Sequence, residues 1–246
     1  HTYYGKKLDF DMSYAIQFQD RAFSPCPNDI GKDRTYSCDF LPQEFPCEGN
    51  GDFRHTAIAV RNEEGISGLD LRYEKHNIVK GKYSLEKLPS VYTTEESESL
   101  EIILSDKSLD IEVKLLYSAI DSLDVITRSV IVTNKSTKQL VLQHCASMNL
   151  DLLFGDYRLT YFPGSHGNER YKETQEIKQS EIAVLSRRGT SSHQANPFVI
   201  ISDMNTTEDS GSCYGIGLLY SGSFSTYAEK DQFGMTRLMM GVLEER

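Results

Sequence analysis

The chain has 246 residues, enough for one large domain with a real core or for two small ones. Hydrophobic residues are 39% and charged residues 25%, and no apolar run approaches the ~20 residues that cross a bilayer. The formal net charge of -10 argues against nucleic acid or an anionic membrane as the main partner.

The chain opens at His1, in HTYYGKKLDF, and ends in RLMMGVLEER, inside or just after a strand pattern. Both ends predict a piece of a longer protein, so the lack of a visible signal peptide carries little weight. Residues 20–54 hold four of the seven prolines and little alternation. A stretch this long without periodicity is functional or disordered. Its aromatics Phe23, Tyr36, Phe40, Phe45 and Phe53 argue for an ordered, functional connection.

Period-two patterns then dominate. SLEKLPS predicts at most a single helical turn. LEIILSD puts Leu100, Ile102 and Leu104 on one face. LDIEVKLLYSAI alternates Ile111, Val113 and Leu115 against Glu112 and Lys114. DVITRSVIVTN sets Val125, Thr127, Ser129 and Ile131 against Ile126, Arg128, Val130 and Val132. QLVLQHCASMNLDLL and PFVIISDM are further β-rich runs, and SDKS, TNKST and SDMNTTEDSGS are turn signals between strands. Short strands with polar turns predict an all-β sandwich or barrel. There is no internal repeat.

Cys26, Cys38, Cys47, Cys145 and Cys213 form no C-x-x-C pair. The first three lie in one loop-rich stretch, but no histidine follows at ligand spacing, so unpaired thiols in a reducing compartment are expected rather than a metal site. No phosphate-binding loop, dinucleotide fingerprint, H-E-x-x-H or nucleophile elbow is present.

Four polar clusters remain. They are DRAFSPCPND with Asp20 and Arg21, GNGDFR with Asp52 and Arg54, YFPGSHGNERY with His166, Glu169 and Arg170, and SRRGTSSHQANPF with Ser191, Ser192, His193, Gln194 and Asn196. Each has a bland reading. Adjacent Asp and Arg form surface ion pairs worth about 0–1 kcal/mol. A histidine in a Gly/Pro loop is solvated. The last segment can satisfy backbone groups at a sheet edge. Carboxylates, guanidinium groups and aromatics on loops are also what a sugar site requires, since a carboxylate accepts from vicinal hydroxyls and a ring face packs on C–H groups.

Nine ordered segments resemble one family: HTYYGK, DRAFSP, GDFR, DLRYEKHNIVKGK, DVITRSVIVTN, GSHGNER, SRRGTSSHQANPF, YGIGLLYSGSF and DQFGMTRLMMGV. Together they look like the N-terminal domain of glycoside hydrolase family 36 α-galactosidases, from His1 to Val242. The resemblance implies a large β-supersandwich of galactose mutarotase-like type, with residues 1–246 as that N-terminal domain, truncated at both ends. A (β/α)8 barrel and a small β domain would follow. It implies hydrolysis of terminal α-galactose from melibiose- and raffinose-type oligosaccharides, with retention, by two barrel aspartates absent from this chain.

No cofactor and no metal are implied. Implied partners are the oligosaccharide, the protein's own barrel and further copies in a homotetramer, in the cytoplasm. The family's DRAFSP aspartate, here Asp20, approaches substrate, and Arg34 in DRTYS lies in the same loop region. Asp52 and Arg54 of GDFR fall at family positions and join the substrate-binding candidates. His166 stands where the family's GSWGRER loop has a sugar-lining tryptophan. Asn168 replaces the usual arginine there, and Ser223 a usual asparagine. An imidazole is smaller, more polar and titratable near neutral pH. Two alternatives stay open: a carbohydrate-binding or assembly module without chemistry, and a relative acting on α-N-acetylgalactosamine or transferring galactosyl groups.

Overall fold

In the computed structural model, residues 38 and 40–243 are described. Thirteen strands are assigned among them: β1 (Ile58–Asn62), β2 (Arg72–Lys80), β3 (Glu98–Asp106), β4 (Ile111–Ile120), β5 (Val125–Asn134), β6 (Leu140–Leu152), β7 (Tyr157–Pro163), β8 (Glu173–Glu176), β9 (Ile182–Ser186), β10 (Ala195–Asp203), β11 (Cys213–Gly217), β12 (Phe224–Lys230) and β13 (Thr236–Val242). The expected all-β class is what the structure shows. The predicted helical turn in SLEKLPS is instead a tight turn, with Lys87 at φ 60. Asp121–Leu123 forms a single 3-10 turn before β5.

Three sheets stack into a layered sandwich. A five-stranded sheet, ordered β1-β6-β13-β12-β9, is central. The four-stranded sheets β2-β3-β4-β5 and β11-β10-β7-β8 complete the structure. The strand pairs are antiparallel, consistent with hairpin-like turns between them. Successive residues of β13 serve two cores, as a period of two requires. Met239 enters one with Ile58, Val113, Leu115 and Ala146. Leu238 and Met240 enter the other with Leu159, Val199, Ile201 and Phe224.

The alternation in β4 is borne out, with Ile111, Val113 and Leu115 buried in the first core. In β3, Ile102 and Leu104 pack against that core, yet Ser99 and Ile103 on the other face are buried too. The cause is the connection between β2 and β3, which returns across the sheet. Tyr83 N–H donates to Ser99 Oγ at 3.0 Å, and the Tyr83 hydroxyl pairs with Ser129 Oγ at 2.9 Å.

Two surfaces remain open. All nine residues of β2 are exposed, Ile78 at 66%, and β2 is a sheet edge. An apolar groove runs between β5, β6 and β11, lined by Leu88, Ile126, Leu142 and Leu219, each about half exposed or more.

Candidate functional site

The β7–β8 connection builds the loop that carries His166. Ser165 and Asn168 exchange two backbone hydrogen bonds, both 2.9 Å, which leaves His166 and Gly167 as the two corner residues. Gly167 takes φ +74, a region a side chain disfavours. Glu169 Oε1 accepts the Gly167 N–H at 2.9 Å and locks the corner. Gly164 allows the chain to fold back, because a Cβ there would lie 2.7 Å from the Asn168 carbonyl oxygen. His166 is exposed at the tip. The sequence places an imidazole on a rigid turn.

The β9–β10 connection, residues 187–194, emerges beside it. Ala195 pairs with Pro163 at the end of β7, and Ser192 bridges to Ala195. Gly189 N–H donates to Ser223 Oγ at 3.0 Å, and Ser191 N–H to the Ser221 carbonyl at 2.8 Å. Ser223 therefore holds this loop. The segment satisfies backbone groups at a sheet end, as its bland reading expects, while Arg188, His193 and Gln194 stay exposed.

Asp52 and Arg54 sit elsewhere and are buried, at 6% and 8% exposure. Arg54 Nε donates to Asp52 Oδ1 at 2.9 Å, and its Nη2 donates to Asp52 Oδ2 and to the carbonyls of Cys38 and Leu41. Its Nη1 meets Asp231 Oδ2 at 3.3 Å. Arg237 Nη2 lies 2.8 Å from Asp52 Oδ2 and 2.7 Å from Asp151 Oδ2. Burial alone would raise the Asp52 carboxyl, but the Arg237 charge and the hydrogen bond and charge of Arg54 outweigh it and hold it below its ordinary value.

This is a closed ion network in which both residues spend their polar atoms on protein partners. It binds the segment of Cys38, Leu41 and Gln43 to β6 and β13, with Gln43 N–H donating to Asp151 Oδ2 at 2.8 Å. Phe53, between the two anchors, points outward at 72% exposure.

The His166 turn and the ion network occupy opposite ends of the sandwich. β12 shows this. Its Phe224 end lies beside Ser186 and the β9–β10 loop, whereas its Lys230 end pairs with Thr236, next to Arg237. Seven strand residues, roughly 20 Å, separate the ends. Asp20 and Arg34 lie outside the described residues. The network's other members, Asp151, Asp231 and Arg237, were not singled out from sequence. The signal was a charge inside an apolar strand run, in NLDLL and TRLMM.

Among the described residues no group of His, Cys, Asp and Glu is placed to hold a metal ion, and no helix is long and apolar enough to cross a membrane. Cys47, Cys145 and Cys213 are free thiols. Burial pushes the Cys47 thiol up to about 12, and burial likewise pushes Cys145 up to about 11.

Residues 1–245 match the glycosyl hydrolase family 36 N-terminal domain. The bifunctional α-galactosidase/sucrose kinase AgaSK of Mediterraneibacter gnavus is 46% identical over 246 residues, covering 100% of this chain and 26% of its own. The α-galactosidase AgaA of Geobacillus stearothermophilus is 43% identical over 245 residues, covering 98% of this chain and 33% of its own. The solved galactosidase domain of AgaSK superposes with a TM-score of 0.95 at 46% identity, covering 99% of this chain and 34% of that one. A variant of AgaA in complex with raffinose superposes at 0.93 and 42% identity, again over 99% of this chain and 34% of that one. Another AgaA variant is solved in complex with stachyose. The chain thus spans a third or less of the length of these two curated relatives. It belongs to the glycosyl hydrolase family 36 N-terminal domain family.

Proposed function

We propose that this chain is the N-terminal domain of a retaining α-galactosidase that removes terminal α-galactose from melibiose- and raffinose-type oligosaccharides. The observation that carries the reading is end-to-end similarity to relatives named α-galactosidases, at over 40% identity and with TM-scores above 0.9.

Bond cleavage would lie with two aspartates of a barrel elsewhere in the polypeptide, one as nucleophile and one as acid/base. This chain would contribute binding. His166, on its locked turn, would wall the sugar pocket, and its imidazole would donate to or accept from a hydroxyl where a tryptophan would stack. Asp20 and Arg34 would add a carboxylate and a guanidinium for sugar hydroxyls. Asp52 and Arg54, at the opposite end from the His166 turn and with their own polar atoms taken, would act only by clamping the segment that follows Arg34.

The open apolar groove and the exposed β2 edge suit coverage by the barrel and by further copies in a tetramer, since large exposed apolar surfaces and free strand edges favour association. The buried thiols, with pKa values raised by burial, fit a cytoplasmic location. The test is the full-length protein incubated with raffinose and melibiose. Release of galactose as the α-anomer, seen by NMR before mutarotation, is expected. No galactose released, or the β-anomer formed first, would reject the reading. Light scattering gives the copy number directly.

A further inference from the structure

The sandwich end that carries His166 holds a second loop whose chemistry the pocket reading does not use. Residues 187–194 leave the sheet beside the His166 turn because Ala195 pairs with Pro163. Two internal ties hold the loop's shape. They are the Gly189 N–H bond to Ser223 Oγ and the Ser191 N–H bond to the Ser221 carbonyl. On it, Arg188 Nε donates to Gln194 Oε1 at 2.8 Å. That contact fixes the guanidinium by one edge. Its two terminal nitrogens carry no partner among the described residues, and the side chain is exposed. Arg187 and Arg188 are both exposed on this loop, whereas Lys172, beyond the His166 turn, pairs with Glu208 at 3.5 Å.

A guanidinium held by its Nε presents two parallel N–H donors in a plane, which suits two adjacent oxygens. On a neutral oligosaccharide those oxygens are vicinal hydroxyls. We propose that Arg188, positioned by Gln194, binds vicinal hydroxyls of the sugar behind the terminal residue. It would thereby set the preference of this enzyme for oligosaccharides over simple galactosides. The proposal rests on the α-galactosidase reading above. The terminal galactose must reach carboxylates outside this chain, so an outer loop meets what lies behind it. Preorganisation by Gln194 matters because an unrestrained arginine loses rotamer freedom on binding.

The test uses the full-length enzyme, with raffinose and an aryl α-galactoside as substrates. Failure of the wild type to cleave either one sinks the parent reading before any variant is compared. Arg188→Ala is expected to raise KM for raffinose roughly five- to twentyfold with kcat within about twofold, as for loss of ground-state hydrogen bonds. The aryl substrate, which has no second sugar, should suffer at least fivefold less. Arg188→Lys keeps charge without the planar fork and should recover only part of the loss. Gln194→Ala, a positioning change, should raise KM for raffinose in the same direction by a smaller factor. Equal losses on both substrates, full recovery by lysine, or a raffinose KM within twofold of wild type would each overturn the assignment. If Arg188→Ala misfolds, Gln194→Ala and Arg188→Lys decide alone by the same substrate ratio.

Discussion

Arg237 and Asp52 meet at 2.8 Å in the interior, with side-chain exposures of 1% and 0%. The pair joins strand β13 to the segment that precedes β1, 185 residues away. Such a contact is shielded from bulk solvent, so each partner depends on the other. Arg237 Nε and Nη2 both bond Asp151, and Nη1 donates to the His55 carbonyl at 2.9 Å, which completes the satisfaction of the guanidinium.

Removing one partner should therefore destabilise far more than a surface pair would. Asp52→Ala leaves Arg237 and Arg54 with one carboxylate fewer in a buried space. The expected cost is about 3–5 kcal/mol, against about 0–1 for the exposed Arg72–Asp70 pair. Hydrogen exchange of β6 and β13 amides in the full-length protein localises the effect. Unchanged protection in Asp52→Ala would show that the network is replaceable.

The same network sets an acid limit. The Asp52 carboxyl is held below its ordinary value, against burial, by Arg237 and Arg54. Burial also opposes ionisation of Asp106, which nonetheless lies low because the Ser108 hydroxyl and the backbone N–H groups of Asp70, Leu109 and Ser108 donate to it. Both folded values lie below the unfolded one, roughly 3.9. Their stabilisation is complete above that value and is lost as pH falls through the folded pKa. Protection of β13 amides should be flat from about pH 7 to 5 and then fall steeply. In Asp52→Asn the fall should be shallower, from a lower starting level. An identical slope in the two proteins would remove Asp52 from the account.

His166 can be tested without disturbing the fold. Its side chain is exposed at a turn corner, so His166→Trp should leave the melting temperature within about 1 °C. It should lower KM for α-galactosides several-fold by supplying a larger ring face. Gly164→Ala tests the turn itself. The added methyl would meet the backbone of Asn168, Glu169 and Arg170 at 2.7–2.8 Å, open the turn, and raise KM through displacement of His166. A KM insensitive to both changes would place the turn away from sugar.

The thiols give a compact check on the interior. Cys47, at 1% exposure, and Cys145 both have their ionisation suppressed by burial. Alkylation mapped by mass spectrometry at pH 8 should leave them unmodified in the folded protein and label both after denaturation. Rapid labelling of Cys47 in the native state would mean that the clamped segment opens readily.

Strand positions were legible because alternation is local. Ile111, Val113 and Leu115 show their buried face in five letters of sequence, and the glycines of GSHGNER announce a turn. The family was legible because nine short segments occur in order. The site was legible only in part. GDFR and GSHGNER read alike as polar clusters in glycine-rich loops, yet one is an interior ion network and the other an exposed corner. Nothing within four residues of Asp52 reveals Arg237.

Local periodicity and motif order determined the all-β class, strands β3 to β6 and β10, and the family of this chain, since each depends on neighbours in sequence. Tertiary structure decided which polar clusters face inward and that His166 and Asp52 lie at opposite ends. It also placed the Arg188 loop beside the His166 turn. Those outcomes hinge on pairings such as Ala195 with Pro163 and Arg237 with Asp52, whose partners lie 32 and 185 residues apart. Register and burial, not composition, choose such partners.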